Sequence, residues 1–250
     1  MSGLFPENGP AEMQVFPLQS IDLVVMPGDH PFHAAESAAA AENWRDEIAA
    51  NPALFDGRMV FFDRVRLAAG ALQAEGHLMP FSSFLWWRKQ KTPLRGVHIF
   101  GWAIPISSDG AVIAIRMGPQ TANAGLVYCA AGSLDANDIV GGRCDLSGNL
   151  RREVLEETGL DLSEAEPASG WYGLHRGRRV TLYRYFRFER TAEELLAAIR
   201  RHMAIDHEKE IDAAVAIRSA DPTAHPYSQM MLPILRQFFE AVDGGRKGVA

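Results

Sequence analysis

The sequence predicts an α/β fold in which helices flank a mixed sheet. Segments rich in β-branched and aromatic residues alternate with segments that lack Pro and Gly and carry apolar residues at helical spacing. Of the 250 residues, 47% are hydrophobic and 22% are charged. This composition is typical of an ordinary globular protein with a sizeable core. The alternation and the composition together favour sheet and helices packed around one or two cores.

The first 95 residues predict an N-terminal α+β region. The expected elements are a short strand over 21–26, a helix over 33–50, a strand over 59–67 and two further extended pieces within 69–79. The helix is expected to end before Asn51-Pro52, because a residue that precedes proline disfavours helical geometry. From Gly96 the sequence becomes rich in β-branched and aromatic residues, and Gly96 is therefore the predicted boundary of this region.

Residues 96–250 predict a larger domain with a mixed sheet. The expected elements are strands over 96–107, 111–118, 126–133 and 212–218, a hairpin around Arg176-Gly177, and helices over 191–203 and 229–242. Asp109-Gly110, between the first two of these strands, is typical of a hairpin turn. Because strands alternate with helices here, helices are expected to cover the sheet.

Charge and cysteine content exclude several classes of function. The net charge is −6, which argues against a nucleic-acid or anionic-membrane binder, because phosphate-rich partners attract basic surfaces. No apolar run approaches the roughly 20 residues of a membrane span. The start of the chain lacks the basic and apolar regions of a secretory signal. Two cysteines, Cys129 and Cys144, lack metal-ligand spacing. We therefore expect a cytoplasmic protein that acts on a small molecule.

An acidic helix follows the third strand of the larger domain. Asp145 is a plausible N-cap, and Gly159 stands where a left-handed glycine would end a helix. Three apolar residues between them recur every four positions and predict a buried stripe: Leu146, Leu150 and Val154.

Three glutamates share one side of this helix. Glu153, Glu156 and Glu157 fall within roughly 100° of arc on a 3.6-residue period. A solvated helix face is one interpretation, although exposed like-charge pairs lose a few tenths of a kcal/mol each, about 0.2–0.5. The second interpretation is a metal site, because crowded carboxylate oxygens are the ligands that Mg²⁺ and Mn²⁺ prefer.

Residues 152–160, REVLEETGL, resemble the second half of the Nudix box, R-E-U-x-E-E-x-G-U with U aliphatic, and all seven specified positions match. The resemblance implies a Nudix-type α/β/α sandwich and a metal-dependent pyrophosphohydrolase that uses Mg²⁺ or Mn²⁺. It implies that Glu153, Glu156 and Glu157 are metal ligands, with the Ala131 carbonyl as a further one. It also implies that Arg152 orients a glutamate.

The first half of the box departs from the family pattern, G-x5-E before the helix. The positions where the glycine and the glutamate are expected hold Asp138 and Cys144. Gly132 is the better equivalent of the glycine, with a loop six residues longer than the pattern. The glutamate is either missing or replaced by Asp138 or Asp145.

Further candidate residues lie outside the box. Family members recruit another acidic residue from a later loop, and HEKEID supplies Glu208, the first choice as ligand or base, and Glu210. A solvated charge run before a strand stays open as the alternative for both. In SFLWWRKQK, Trp87 and Arg88 are candidates for contact with a nucleotide base or a sugar, and a core position with an edge is the alternative.

The box fixes a reaction class rather than a substrate. It implies water attack on the pyrophosphate of a nucleoside diphosphate linked to another moiety, NDP-X. Trp44, Asn51-Pro52 and residues 54–57, LFDG, resemble the region before the Nudix domain in UDP-glucose and GDP-mannose pyrophosphatases, which favours a nucleotide sugar. The alternatives are a Nudix-fold nucleotide sensor without hydrolysis, and a scaffold with an acidic helix. Many members of the family are dimers, so the resemblance also allows a homodimer.

Overall fold

The computed structural model describes residues 4–5, 9–90, 95–207 and 209–247. In chain order, the α-helices of these residues are α1 (Pro31–Ala50), α2 (Phe81–Lys89), α3 (Leu146–Thr158), α4 (Ala192–Ile205) and α5 (Met231–Lys247). The strands are β1 (Phe16–Leu18), β2 (Ser20–Asp29), β3 (Arg58–Ala68), β4 (Ala71–Pro80), β5 (His98–Ile106), β6 (Val112–Met117), β7 (Val127–Tyr128), β8 (Ile139–Val140), β9 (Arg143–Cys144), β10 (Ala165–Pro167), β11 (Trp171–Arg176), β12 (Arg179–Phe188) and β13 (Ile211–Ile217). None of the described helices is long and apolar enough to cross a membrane.

Two mixed sheets organise these strands. The larger has the order β1-β11-β12-β5-β6-β13, with β10 beside β12 and β7 beside β6, and the smaller has the order β3-β4-β2-β9-β8. Strands β12 and β5 run parallel along the whole of β5. Strands β5 and β6 share the pair Ile106 and Val112 and then diverge. The chain after β7 enters this gap, where Ser133 bridges Phe100 of β5.

Helices cover both faces of the larger sheet. At Gly101 of β5 a Cβ would lie 2.7 Å from Leu150 of α3, so the missing side chain lets this helix approach one face closely. On β12, Tyr183 pairs with Trp102 and faces the other way. Its hydroxyl donates a hydrogen bond to Gln237 of α5. The predicted α/β/α arrangement with a mixed sheet is therefore confirmed, and its two covered faces explain why β5 is apolar along almost its whole length.

The smaller sheet contains most of the N-terminal strands and is joined to the rest of the chain through exchanged strands. β1 pairs with β11 in the larger sheet, and β9 pairs with β2 in the smaller. Strands β3 and β4 form a hairpin whose turn residues, Ala69 and Gly70, both have positive φ, as in the turns that match strand twist. The boundary near Gly96 stays a prediction. A strand from each side of it pairs with a strand from the other side.

Besides the short strands β1, β8, β9 and β10, which were not predicted, the elements differ from the predicted ones at three places. SFLWWRKQK begins within a helix, α2, for which sequence periodicity gave no clear signal. β2 continues through Pro27-Gly28 instead of ending there. The third strand predicted over 126–133 is reduced to two residues, because the chain leaves β6 to meet β5 at Ser133.

Candidate active site

Helix α3 carries the predicted acidic motif between the predicted caps. The Asp145 side chain accepts a hydrogen bond of 2.9 Å from the Gly148 N–H, and Gly159 ends the helix at φ +69°. Leu150 and Val154 are 1% and 0% exposed and pack against the larger sheet. Burial of each such side chain stabilises the fold by about 1.5–3 kcal/mol, which fixes the rotation of the helix about its axis.

This rotation places the three glutamates in different environments. Glu153 and Glu157, one turn apart, are 9% and 7% exposed. The Glu156 side chain is 56% exposed. A purely solvated acidic face is therefore excluded for two of the three carboxylates, because buried charges of this kind are costly unless they are paired or bind a metal.

The loop after β7 meets these carboxylates directly. A Cβ at Gly132 would lie 2.1 Å from the carboxylate of Glu153, so glycine is the residue that fits. The next turn of the helix reaches the same loop, where the backbone of Ala131 hydrogen-bonds Glu157 and lowers its pKa against the effect of burial. The structure thus brings the predicted glycine loop and the acidic helix together.

Arg152 ties several carboxylates to each other. Its guanidinium lies 2.8 Å from Glu153, 3.1 Å from Glu156 and 3.0 Å from Asp138. Asn149 adds an amide that donates to Asp138 at 3.0 Å and to Glu153 at 3.4 Å. Asn149 has no place in the box, and its spacing of four residues from Glu153 was the signal in the sequence that could have identified it.

Asp138 is the acidic residue that the longer loop brings to the site. It is 4% exposed, and both its carboxylate oxygens accept hydrogen bonds from Arg152. Asp145, the other candidate replacement for the absent glutamate, caps the helix instead. Cys144 pairs with Ile139 in the smaller sheet.

Burial and mutual repulsion set the charge state of this cluster. Burial raises the pKa of the Glu153 carboxyl to about 7, and Glu156, Asp138 and Glu210 add to the rise while Arg152 opposes it. The pKa of Glu157 is raised well above its usual value by burial first and by Glu210 and Glu153 next. One oxygen of Glu157, Oε2, is buried without a hydrogen-bond partner in the described part of the chain.

Comparison with known proteins finds distant likenesses among solved structures. No family model and no curated protein matches the chain. Solved structures similar to it include a NUDIX hydrolase from Nitrosomonas europaea, at 16% identity, covering 60% of this chain and 90% of that one with a TM-score of 0.39. A MutT protein from Methanosarcina mazei Go1 is 15% identical over 64% of this chain and 99% of that one, with a TM-score of 0.37. Nudix hydrolase RenU from M. smegmatis is 9% identical over 59% and 86%, with a TM-score of 0.36.

These likenesses are remote, whereas the second half of the box is complete and its helix lies against the Gly132 loop. The chain resembles the Nudix hydrolases. Its resemblance is carried by residues 152–160, whose buried glutamates face the Gly132 loop.

The Nudix-like site has the chemistry that a hard divalent cation requires. It offers clustered carboxylate oxygens, an unpartnered buried oxygen on Glu157, and a glycine that leaves room beside Glu153. Within the described residues, no group of three or more His, Cys, Asp or Glu side chains is already spaced to hold a metal ion. Arg152 already forms ion pairs with carboxylate oxygens of Glu153 and Glu156.

The later acidic loop reaches the same site. Glu208 lies outside the described residues, so its predicted role stays a prediction. Glu210 is close enough to raise the pKa of both Glu153 and Glu157. Its backbone carbonyl accepts a hydrogen bond of 2.7 Å from Gly118, which holds this loop at the end of β6.

The two candidates on α2 have different surroundings. Trp87 is 4% exposed, its ring contacts Phe61 and Phe84 at centroid distances of 5.0 Å and 5.9 Å, and its N–H donates to the Arg95 carbonyl. Because its faces are occupied by core residues, this placement argues against the predicted contact of Trp87 with substrate. Arg88 is exposed, with its guanidinium 5.8 Å from the Phe84 ring.

Proposed function

We propose that this chain is a Nudix-type pyrophosphohydrolase that cleaves NDP-X substrates, with Mg²⁺ or Mn²⁺ bound at α3. The observation that carries the proposal is the pair of buried carboxylates, Glu153 and Glu157, whose pKa values are raised beside the Gly132 loop. Groups with perturbed pKa values in one cluster are typical of functional sites. A structural role alone would be served better by apolar residues at these two buried positions.

The proposed division of roles follows from burial and from the hydrogen bonds. Glu153, Glu156 and Glu157 would hold the cation, with the Ala131 carbonyl and Glu208 as further predicted ligands. When bound, the cation would supply charge neutralisation on the pyrophosphate and would lower the pKa of attacking water. Ala131 and Gly132 form the loop wall beside the glutamates.

Two further residues, Arg152 and Glu210, would act at the site without contacting the reacting phosphorus. Arg152, held from behind by Asp138, keeps Glu153 and Glu156 from rotating away from the loop. Glu210, in the loop where the second-choice base was predicted, would accept a proton from water. Its negative charge raises the pKa of Glu157.

A nucleotide sugar is the proposed substrate within the NDP-X class. The support is the resemblance of Trp44, Asn51-Pro52 and residues 54–57 to the nucleotide-sugar pyrophosphatases. In the structure this segment follows α1, and the Asp56 carboxylate accepts a hydrogen bond of 2.7 Å from Ser82 at the start of α2. The segment therefore positions the helix that carries Arg88.

The test is a substrate panel with a matched pair of variants. NDP-sugars, ADP-ribose, dinucleotides and deoxynucleoside triphosphates are incubated with Mg²⁺ or Mn²⁺, and phosphate is read after phosphatase coupling. Glu157→Gln is expected to lower kcat by about a hundredfold or more. Glu193→Gln, at an exposed glutamate of α4, is expected to leave it unchanged. Binding of a nucleotide without release of phosphate would support the sensor instead, and a fully active Glu157→Gln would refute the proposed site.

A further inference from the structure

A row of rings in contact runs along β5 from the side of the carboxylates to α2. His98, Phe100 and Trp102 alternate along the strand and therefore share one face of the sheet. Trp102 stacks on Tyr128 at 5.9 Å, Phe100 lies 5.6 Å from Trp102, and His98 stacks on Phe100 at 4.9 Å. Phe84 of α2 follows at 4.5 Å from His98. These five residues are called the aromatic row below.

One end of the aromatic row lies at the acidic site. Burial raises the pKa of the Tyr128 phenol, and Glu157 and Glu210 raise it further through their negative charge, while Arg88 lowers it. The Tyr128 phenol therefore interacts electrostatically both with the carboxylates and with Arg88. From Trp102 to His98 the strand advances four residues, or about 13 Å.

The other end of the row carries two arginines. Arg88 stands over the Phe84 ring at 5.8 Å. Arg179 pairs with His98 in the parallel register of β12 and β5, so both side chains are on the same face. Burial lowers the pKa of His98 to about 3, and the positive charges of Arg179 and Arg88 contribute to this shift. The imidazole is therefore neutral, and it adds no third positive charge here.

This pair of positive charges has no anionic partner in the described part of the chain. None of the salt bridges between described residues includes Arg88 or Arg179. Arg179 is half-buried, and burial, then Arg88 and Arg176, lower its pKa. A half-buried guanidinium next to a second positive charge is unfavourable until an anion lies close to both. His98 also keeps a buried Nδ1 without a partner among those residues.

We infer that Arg88 and Arg179 bind an anionic group on the X moiety, so that the preferred NDP-X substrate carries a carboxylate or phosphate beyond its pyrophosphate. The inference rests on the proposed function for the position of the pyrophosphate. Arginine suits this task because its planar donors match both carboxylate and phosphate oxygens. α2 of the N-terminal region thus supplies one of the two residues that select the substrate.

The experiment compares substrates that differ by one anionic group. UDP-glucose with UDP-glucuronate tests a carboxylate on the X moiety, and ADP-ribose with ADP-ribose 1″-phosphate tests a phosphate on it. For the wild type, kcat/KM is expected to be at least about tenfold higher for the anionic member of one pair, since one lost charge-assisted contact costs about 1.5–3 kcal/mol. Arg179→Gln and Arg88→Gln are each expected to remove that preference by raising KM for the anionic member. Arg66→Gln, at an exposed position of β3, is the matched control.

Calorimetric titration of the same four compounds in EDTA separates the two proposals. Hydrolysis without any preference for an anionic member would overturn the anion site and leave the proposed function standing. Tighter binding of an anionic member that is lost in both arginine variants, with no hydrolysis, would support the anion site and overturn the proposed function. Equal loss of neutral and anionic substrates in Arg88→Gln would also overturn the anion site, because it would show a general role for that residue.

Discussion

The raised pKa of Glu153 makes the stability of the metal-free protein depend on pH in a defined direction. Burial lifts this pKa from 4.5 to about 7 in the folded chain. Between these two pH values the folded state binds more protons than the unfolded state, so stability falls as pH rises. At about 1.4 kcal/mol per pKa unit, the ionised carboxylate costs about 3 kcal/mol above pH 7.

Glu153→Gln tests this reasoning because the amide keeps the shape of the carboxyl and cannot ionise. We expect the free energy of unfolding of the wild type, relative to the variant, to fall by about 3 kcal/mol between pH 4.5 and pH 8. In a chain of this length the difference corresponds to a relative shift in Tm of about 6–12 °C. At pH 8 the variant is expected to be the more stable protein in EDTA and the less active one with Mg²⁺.

The assay is urea unfolding followed by tryptophan fluorescence at several pH values in EDTA, with Glu193→Gln as the exposed control. Addition of Mg²⁺ at pH 8 is expected to stabilise the wild type more than Glu153→Gln, since a ligand that binds the folded state raises its stability. Parallel pH profiles for wild type and Glu153→Gln would refute the reasoning. They would mean that this carboxylate is solvated or fully compensated by its arginine.

Three further substitutions separate site geometry from stability. Gly132→Ala is expected to reduce kcat/KM by about a hundredfold. Its loss of stability is expected to be small, because the new Cβ would displace the flexible Glu153 carboxylate rather than backbone. Gly170→Ala, where the Cβ would meet ordinary contacts at 3.7 Å, is the control for activity assays. Asp138→Asn is expected to lower activity about 10–100-fold by removing the negative charge behind the guanidinium, whereas Asp135→Asn, at 3.9 Å from it, is expected to have a smaller effect in the same kinetic assay. Trp87→Ala is expected to lower the free energy of unfolding in urea by about 3–5 kcal/mol and to leave kcat of the folded protein unchanged; a selective rise in KM would restore a substrate role for this residue.

The strands and helices that were predicted correctly are those with a strong local signal. α3 begins and ends at the predicted caps because Asp145 and Gly159 satisfy its terminal groups locally. β5 and the hairpin of β11 and β12 follow from β-branched and aromatic runs with turn residues between them. α2 was missed, because its nine residues are too few to show helical periodicity and its start is capped by Asp56, 26 residues before its partner Ser82.

The candidate site divides in the same way. Sequence spacing alone placed Glu153, Glu156 and Glu157 on one side of a helix, and the glycine pattern indicated Gly132. The burial of two of these glutamates and the exposure of the third depended on how α3 is rotated against β5. The position of Asp138 at the site depended on the path of a loop that is longer than the family pattern. Counting residues along the sequence could not predict that path.

What the sequence determined by itself is therefore the acidic helix, its ends and the chemistry that its side chains offer. These properties depend on residues within one or two helical turns of each other. Tertiary structure alone decided which carboxylates lose their water, which arginines face each other, and that Trp87 is core while the adjacent Arg88 is exposed. The physical reason is that burial and electrostatic coupling depend on distances in space between segments far apart in the chain. Local sequence spacing does not determine those distances.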